Sequence, residues 1–246
     1  VERVRGGGDD ALLDCVREFD VPAGTEPPPV AVEESELHAA LASLEGEVRH
    51  GLSVAIENVR AIALAGVGAD HDVVLPQGHR IRLRELPVHR AAVYVPGGRA
   101  PYPSTVVMGV VTARAAGVEE VVVCAPGAHP VILAACALCG ADAVYRMGGA
   151  HAVAALAYGT ETIPRVDVIA GPGNLWVQEA KRQVSGDVGI DGFYGPSDVL
   201  VVATAGADPA LVAADLLAQA EHGPDSLAVC VSPEPALLDA VAPLAA

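Results

Sequence analysis

Aromatic residues and basic residues are both scarce in this sequence. Phe, Trp and Tyr make up 3% of its 246 residues, so Val, Ala, Leu and Ile must fill the core of a chain that is 52% hydrophobic. Lys and Arg number 15 against 31 Asp and Glu, a net charge of −16. That balance excludes the clustered cations a nucleic acid requires. No stretch approaches the roughly twenty apolar residues of a membrane span, and no basic-then-apolar leader is present, so no membrane partner is expected. Cysteines are few and odd in number: Cys15, Cys124, Cys136, Cys139 and Cys230. Reduced thiols and a cytoplasmic location are the expectation. The usual nucleotide fingerprints are also missing. Neither G-x-G-x-x-G between a strand and a helix nor G-x-x-x-x-G-K-[ST] occurs, so a bound NAD would have to be held by another route.

What is present is an Ala/Val-rich chain punctuated by 26 Gly and 19 Pro. Such composition suits parallel strands buried on both faces. The first third reads as helical. Leu37, Leu41, Leu44, Val48, Leu52, Ile56, Val59 and Ile62 recur every three or four residues, which predicts one long helix with a single apolar stripe. A β segment follows at 79–86, and another at 91–95. From there strand and helix alternate: strands at 119–124, 142–146, 165–170, 198–203 and 226–231, helices at 104–116, 129–139, 149–158, 174–185, 208–222 and from 234 onward. This alternation predicts an α/β fold, with two doubly wound, Rossmann-like parallel-sheet domains preceded by N-terminal helices. The Gly/Pro-rich junctions at 95–98 and 194–197 suggest that one domain, 94–198, is inserted in the other, 1–93 plus 199–246. The chain opens on Val1 rather than Met and stops within the apolar run Leu237–Ala246, so both ends read as cuts.

Four segments carry candidate chemistry. In the first, Tyr94 to Thr105, a strand ends, the pair Gly97-Gly98 turns the chain, and Ser104 or Thr105 can cap the helix that follows. Helix starts at strand ends attract anions, although an ordinary capped turn has the same residues. The second is Gly148-Gly149-Ala150-His151, which opens a helix and puts His151 at the mouth of a site at the sheet's carboxyl edge. The third is Gly171-Pro172-Gly173-Asn174, with Asn174 near the cap. Ligands of such folds sit at that edge. The fourth is Gln219-Ala220-Glu221-His222 before Gly223-Pro224, which should end the helix. Gln219 and His222 are three apart, on one helical face, and can reach one ion; a histidine in a last helical turn can equally serve the helix dipole. Other features have plain structural readings. Cys136-Ala137-Leu138-Cys139 lies in an apolar helix and reads as packing thiols, and His129 as a solvated turn residue.

Taken in order, the strings Y-V-P-G-G-R-A-P-Y-P-S-T, G-G-A-H-A-V-A-A-L-A-Y-G-T-E, G-P-G-N-L-W-V-Q-E-A-K-R, G-P-S-D-V-L-V and Q-A-E-H-G-P-D-S resemble the histidinol dehydrogenase family. The opening V-R-G-G-G-D-D-A-L-L-D…F-D, residues 4–20, resembles that family's N-terminal helix. The resemblance implies a homodimer that oxidises L-histidinol to L-histidine in two steps, with Zn2+ and two NAD. It places Tyr94, His151 and Asn174 at NAD contacts, Ser197, Gln219 and His222 at substrate contacts, and Gln219 and His222 among the zinc ligands. It implies no proton-transferring catalytic residue within this chain, the family's Glu-His pair and its remaining Asp and His ligands falling beyond Ala246. Three positions depart from the family: His151 for a usual Gln, Tyr194 for Ala, and Asp198 for Glu. A related dehydrogenase for another amino or sulfonated alcohol, and a non-catalytic paralogue, remain as alternatives.

Overall fold

A computed structural model describes residues 1–97, 100–193, 197–221, 223 and 226–245. They form two compact units, Val1–Phe193 and Tyr194–Ala246.

The first unit begins with three helices, α1 (Glu2–Phe19), α2 (Glu34–Ser43) and α3 (Gly46–Gly66), and an antiparallel hairpin of β1 (His71–Val74) and β2 (Arg80–Leu83). Strands and helices then alternate: β3 (Arg90–Tyr94), α4 (Pro103–Ala115), β4 (Glu120–Cys124), α5 (Pro130–Cys139), β5 (Ala143–Tyr145), α6 (Gly149–Tyr158), β6 (Val168–Ala170), α7 (Leu175–Val184) and β7 (Gly189–Ile190). β3 to β7 make one fully parallel sheet in the order β5-β4-β3-β6-β7. The expected α/β architecture with N-terminal helices is therefore present.

The sheet is buried on both faces, as the unbroken apolar strands require. Side chains alternate along β3 and β4. Ala92, Tyr94, Val122 and Cys124 join α1, α6 and α7 on one face, while Ala91, Val93, Val121 and Val123 join α4 and α5 on the other. α3 packs on α4, and α2 on α5. The second unit pairs β8 (Val199–Val202) in parallel with β9 (Ala228–Val231), with α8 (Pro209–Ala220), α9 (Pro235–Val241) and a short 3-10 turn, Ala242–Leu244, around a small core centred on Val212, Ala213 and Leu216.

Two local expectations need correction. The single long helix over 37–62 is two helices, because Leu44 and Glu45 turn extended, with ψ of 132° and 141°. The stripe survives the break: Leu37 of α2 and Leu52 and Ile56 of α3 enter the same core. The segment expected at 79–86 forms strand only at Arg80–Leu83, in a hairpin whose residues are all exposed.

α1 is tied to the sheet domain at its central break and just past its C-terminal end. At Gly8 the helix breaks, with φ +54° and ψ −141°, and a side chain there would collide with the Glu161 carboxylate. That carboxylate instead accepts the Asp9 N–H at 2.7 Å, and Thr162 Oγ1 donates to Asp9 at 3.0 Å. Leu12, Cys15 and Val16 fill the interval against α6. Leu12→Ala should therefore cost about 2–5 kcal/mol of stability, the range for emptying a core leucine site. Chemical denaturation checks this. A cost near zero would show α1 to be an accessory to the fold rather than part of its core.

Candidate functional site

Strand order determines where a ligand can sit. From β3 the chain winds outward through β4 to β5, then returns to β6 on the other side of β3 and continues to β7. The winding direction reverses between β3 and β6, and the crevice outside the carboxyl ends of such strands is the usual ligand site. A cavity of about 870 Å3 opens there, within the size range of small-molecule sites. Its walls are the turns that follow β3, β4, β5 and β6, closed on one side by α1.

Tyr94 ends β3 and is 3% exposed. Burial pushes its hydroxyl well above the usual tyrosine range. It therefore stays a neutral phenol, whose oxygen accepts the Gly149 N–H at 2.9 Å while its proton remains to donate. Gly148 can follow β5 only without a side chain, since a Cβ would lie 2.8 Å from the Pro126 ring. The turn after β6 is held from within. Gly171, at φ +123°, lies so close to β3 that a Cβ would overlap the Tyr94 carbonyl oxygen. Its N–H donates to Asp191 Oδ2 at 2.7 Å, and its carbonyl accepts from Lys181 Nζ at 2.5 Å. Lys181 is fully buried and pairs with Asp191 Oδ1 at 2.6 Å. The two side chains thus clamp both backbone polar groups of one glycine residue.

Asn174 occupies the N-cap position of α7 as expected. Its Oδ1 accepts the N–H groups of Trp176 and Val177, both at 3.1 Å. His151 lies in the first turn of α6 and lines the cavity, but as a wall residue, 6% exposed, rather than at the mouth. Its Nε2 lies 2.9 Å from Asp20 Oδ2, which also accepts the Gly148 N–H at 3.0 Å. Phe19 stacks on its ring with centroids 6.0 Å apart. Tyr94, His151 and Asn174 thus line one cavity. Ser104 and Thr105, expected as caps, fall inside the first turn of α4, whose N-cap residue is Tyr102.

In the second unit, Gln219 Nε2 donates to the Ser197 carbonyl at 2.5 Å and to Ser197 Oγ at 3.1 Å. α8 stops at Ala220, with Glu221 as its C-cap, before Gly223 is reached. His222, Pro224 and Tyr194 lie outside the described residues. Asp198 accepts the Leu227 N–H at 2.9 Å, tying the start of β8 to that of β9. Among the described residues, no three His, Cys, Asp or Glu side chains could hold a metal ion together. One amide oxygen does not make a zinc site, which needs about four ligands. The described donors therefore do not by themselves fit Zn2+.

The plain readings of the other features stand. Cys136 and Cys139 lie in α5, and burial pushes the Cys139 thiol up to about 12, far from a reactive thiolate. His129 is more than a turn residue: it caps α5 by accepting the Val131 N–H at 3.3 Å. No helix among the described residues is long and apolar enough to cross a membrane.

A family model described as "Histidinol dehydrogenase" matches residues 1–245. The chain belongs to the histidinol dehydrogenase family. It is 46% identical over 246 residues to the histidinol dehydrogenase of Parasynechococcus marenigrum, covering 98% of this chain and 56% of that protein. The histidinol dehydrogenase of Natronomonas pharaonis is also 46% identical, over 98% of this chain and 57% of its own length. The crystal structure of histidinol dehydrogenase from Elizabethkingia anophelis superposes with a TM-score of 0.92 at 32% identity, over 99% of this chain and 57% of that one. The chain thus spans little more than half the length of these relatives.

Histidinol dehydrogenase motifs led to Tyr94, His151 and Asn174, but not to Asp20, Phe19, Trp176 or Lys181. Trp176 follows the Asn174 cap, lines the cavity, and is 75% exposed, an unusual position for an indole. That signal was readable in the string G-P-G-N-L-W. Lys181 offered none, because a lysine in an amphipathic helix reads as solvated. Lys181→Met should lower stability by about 3 kcal/mol, the low end for breaking a buried pair, since the Asp191 side chain is 26% exposed and rehydrates. Thermal unfolding measures this. An unchanged midpoint would mean the clamp contributes nothing.

Proposed function

We propose that the protein containing this chain is an NAD- and zinc-dependent histidinol dehydrogenase of histidine biosynthesis, oxidising L-histidinol to L-histidine in two steps with two NAD. The observation that carries this reading is a cavity of about 870 Å3 at the β3/β6 crevice, lined by Tyr94, His151 and Asn174, the residues that the resemblance implies contact the cofactor. NAD, when bound, supplies the hydride acceptor. This chain binds and orients it. Tyr94 offers a phenol proton held in place by the Gly149 N–H, and the exposed Trp176 indole offers a flat face for a base. The Lys181–Asp191 clamp keeps the turn before Asn174 close to β3. Nothing in this arrangement needs the glycine-rich diphosphate fingerprint that the sequence lacks.

The substrate side rests on Ser197, Gln219 and His222. Ser197 and Gln219 already hold each other: the amide Nε2 donates to the Ser197 carbonyl and hydroxyl oxygens, and Oε1 accepts from the Ser197 hydroxyl at 3.5 Å. Gln219 and His222 would supply two of the zinc ligands and the remainder would come from outside this chain; no proton-transferring residue is assigned within it. A cytoplasmic homodimer belongs to the same reading. So does the discontinuous domain partition, in which 199–246 joins 1–93 around the inserted 94–198.

Two expectations follow. In the full-length protein, Gln219→Ala or His222→Asn should lower zinc content and turnover together while leaving the folded signal intact. Full zinc and full turnover in either variant would return these residues to helix-end roles. The 246-residue chain alone should show no measurable oxidation of histidinol by NAD. Turnover by the purified chain would mean that its own residues move the protons. In the full-length protein, a sulfonated alcohol oxidised in preference to histidinol would assign another substrate within the family.

A further inference from the structure

The wall formed by α1 is built in a way the motifs did not suggest. Asp20 ends α1, and its carboxylate reaches the first turn of α6. Oδ2 takes both the Gly148 N–H, at 3.0 Å, and His151 Nε2, at 2.9 Å. The Asp20 and His151 side chains are 11% and 7% exposed, and both line the cavity. An ionised carboxylate only accepts, so the imidazole proton sits on Nε2. Among the described residues neither His151 Nδ1 nor Asp20 Oδ1 has a hydrogen-bond partner, and neither is among the atoms sealed from solvent. The wall thus keeps one carboxylate oxygen, Asp20 Oδ1, as an acceptor that the protein itself does not use.

Such a wall selects a ligand that brings hydroxyl protons. A ribose does so, and in dinucleotide sites an acidic side chain reading the 2′-hydroxyl is a recurrent solution. A 2′-phosphate would bring negative charge and further acceptors instead. No described Lys or Arg is bonded to Asp20 to offset that charge. Arg3, on the same wall, is spent on Glu18 at 3.0 Å and Asp14 at 3.5 Å. The carboxylate cannot swing away cheaply, because its Oδ2 is held by both the Gly148 N–H and His151.

We infer that Asp20, oriented by His151 and the Gly148 N–H, accepts the adenosine 2′-hydroxyl of the dinucleotide and excludes a 2′-phosphorylated one. This rests on the NAD reading above but assigns a residue and a selectivity that reading does not contain. Asp20 is more than a helix cap because only one of its oxygens is used in capping.

The test is a titration of the full-length protein with NAD, NADP and 2′-deoxy-NAD, followed by binding calorimetry or protein fluorescence. The unmodified protein should bind NAD at least about tenfold more tightly than 2′-deoxy-NAD, the loss expected for a hydrogen bond to a charged group. It should prefer NAD to NADP by more than that. Asp20→Asn keeps an oxygen for the Gly148 N–H but turns a donor toward the cavity. It should weaken NAD about tenfold and reduce the preference for NAD over NADP by a similar factor. His151→Ala removes the donor that orients Asp20 and should reduce the preference for NAD over NADP. Equal binding of NAD and 2′-deoxy-NAD by the unmodified protein would overturn the inference without any variant. An unchanged NAD/NADP ratio in Asp20→Asn would overturn it as well. Failure of the unmodified protein to bind NAD at all would overturn the function reading, and this inference with it.

Discussion

The carboxylate of Asp20 reaches across from the end of α1 to the start of α6, where it takes the Gly148 N–H and the His151 imidazole. The shape of the cavity depends on that contact. A helix start leaves N–H groups without intrahelical partners, and burying them unpaired is costly. Here the partner comes from a residue 128 positions earlier in the chain, so docking α1 and satisfying α6 are one event. Leu12, Cys15 and Val16 add the apolar part of the same interface, and the Asp9–Glu161 bond fixes its far end. Remove α1, and the cavity loses a wall while α6 loses a cap.

On the proposed reading, this arrangement would hold a dinucleotide without the usual fingerprint. In a glycine-rich diphosphate loop, free N–H groups at a helix start meet the phosphates. In this chain the start of α6 gives its Gly148 and Gly149 N–H groups to Asp20 and Tyr94, and the start of α7 gives two to Asn174 Oδ1. The glycines act differently, letting backbone turns approach one another: Gly148 lies against Pro126, and Gly171 against the Tyr94 carbonyl. What reaches the cavity is therefore mostly side-chain chemistry, a phenol, an imidazole, a carboxylate and an indole. A site of that kind reads sugars and bases more than charge, in keeping with a net charge of −16.

The parts of this arrangement that were legible in the sequence are local. Helix α6 begins at Gly149 and ends at Tyr158, as the Gly-Gly start and the following Gly159 indicate. Asn174 caps α7 because an Asx residue after a strand does so from its own position. The parts that were not legible are contacts between distant positions. Asp20 reads as the last acid of a surface helix, and Lys181 as a solvated lysine, until the sheet brings Gly148 and Gly171 to them. The break at Leu44–Glu45 was hidden because both halves bury the same stripe, so periodicity alone could not register it. In the second unit Ser197 and Gln219 come together as the family strings suggest, while His222 lies outside the described residues.

Where a dinucleotide binds decides what this cavity does. A crystal structure of the full-length protein with NAD tests this most directly. It should place the dinucleotide across the carboxyl ends of β3 and β6, with a ribose hydroxyl within hydrogen-bonding distance of Asp20 and the Trp176 indole against a base. An NAD bound elsewhere on the chain, with the cavity beneath α1 filled only by water, would contradict it.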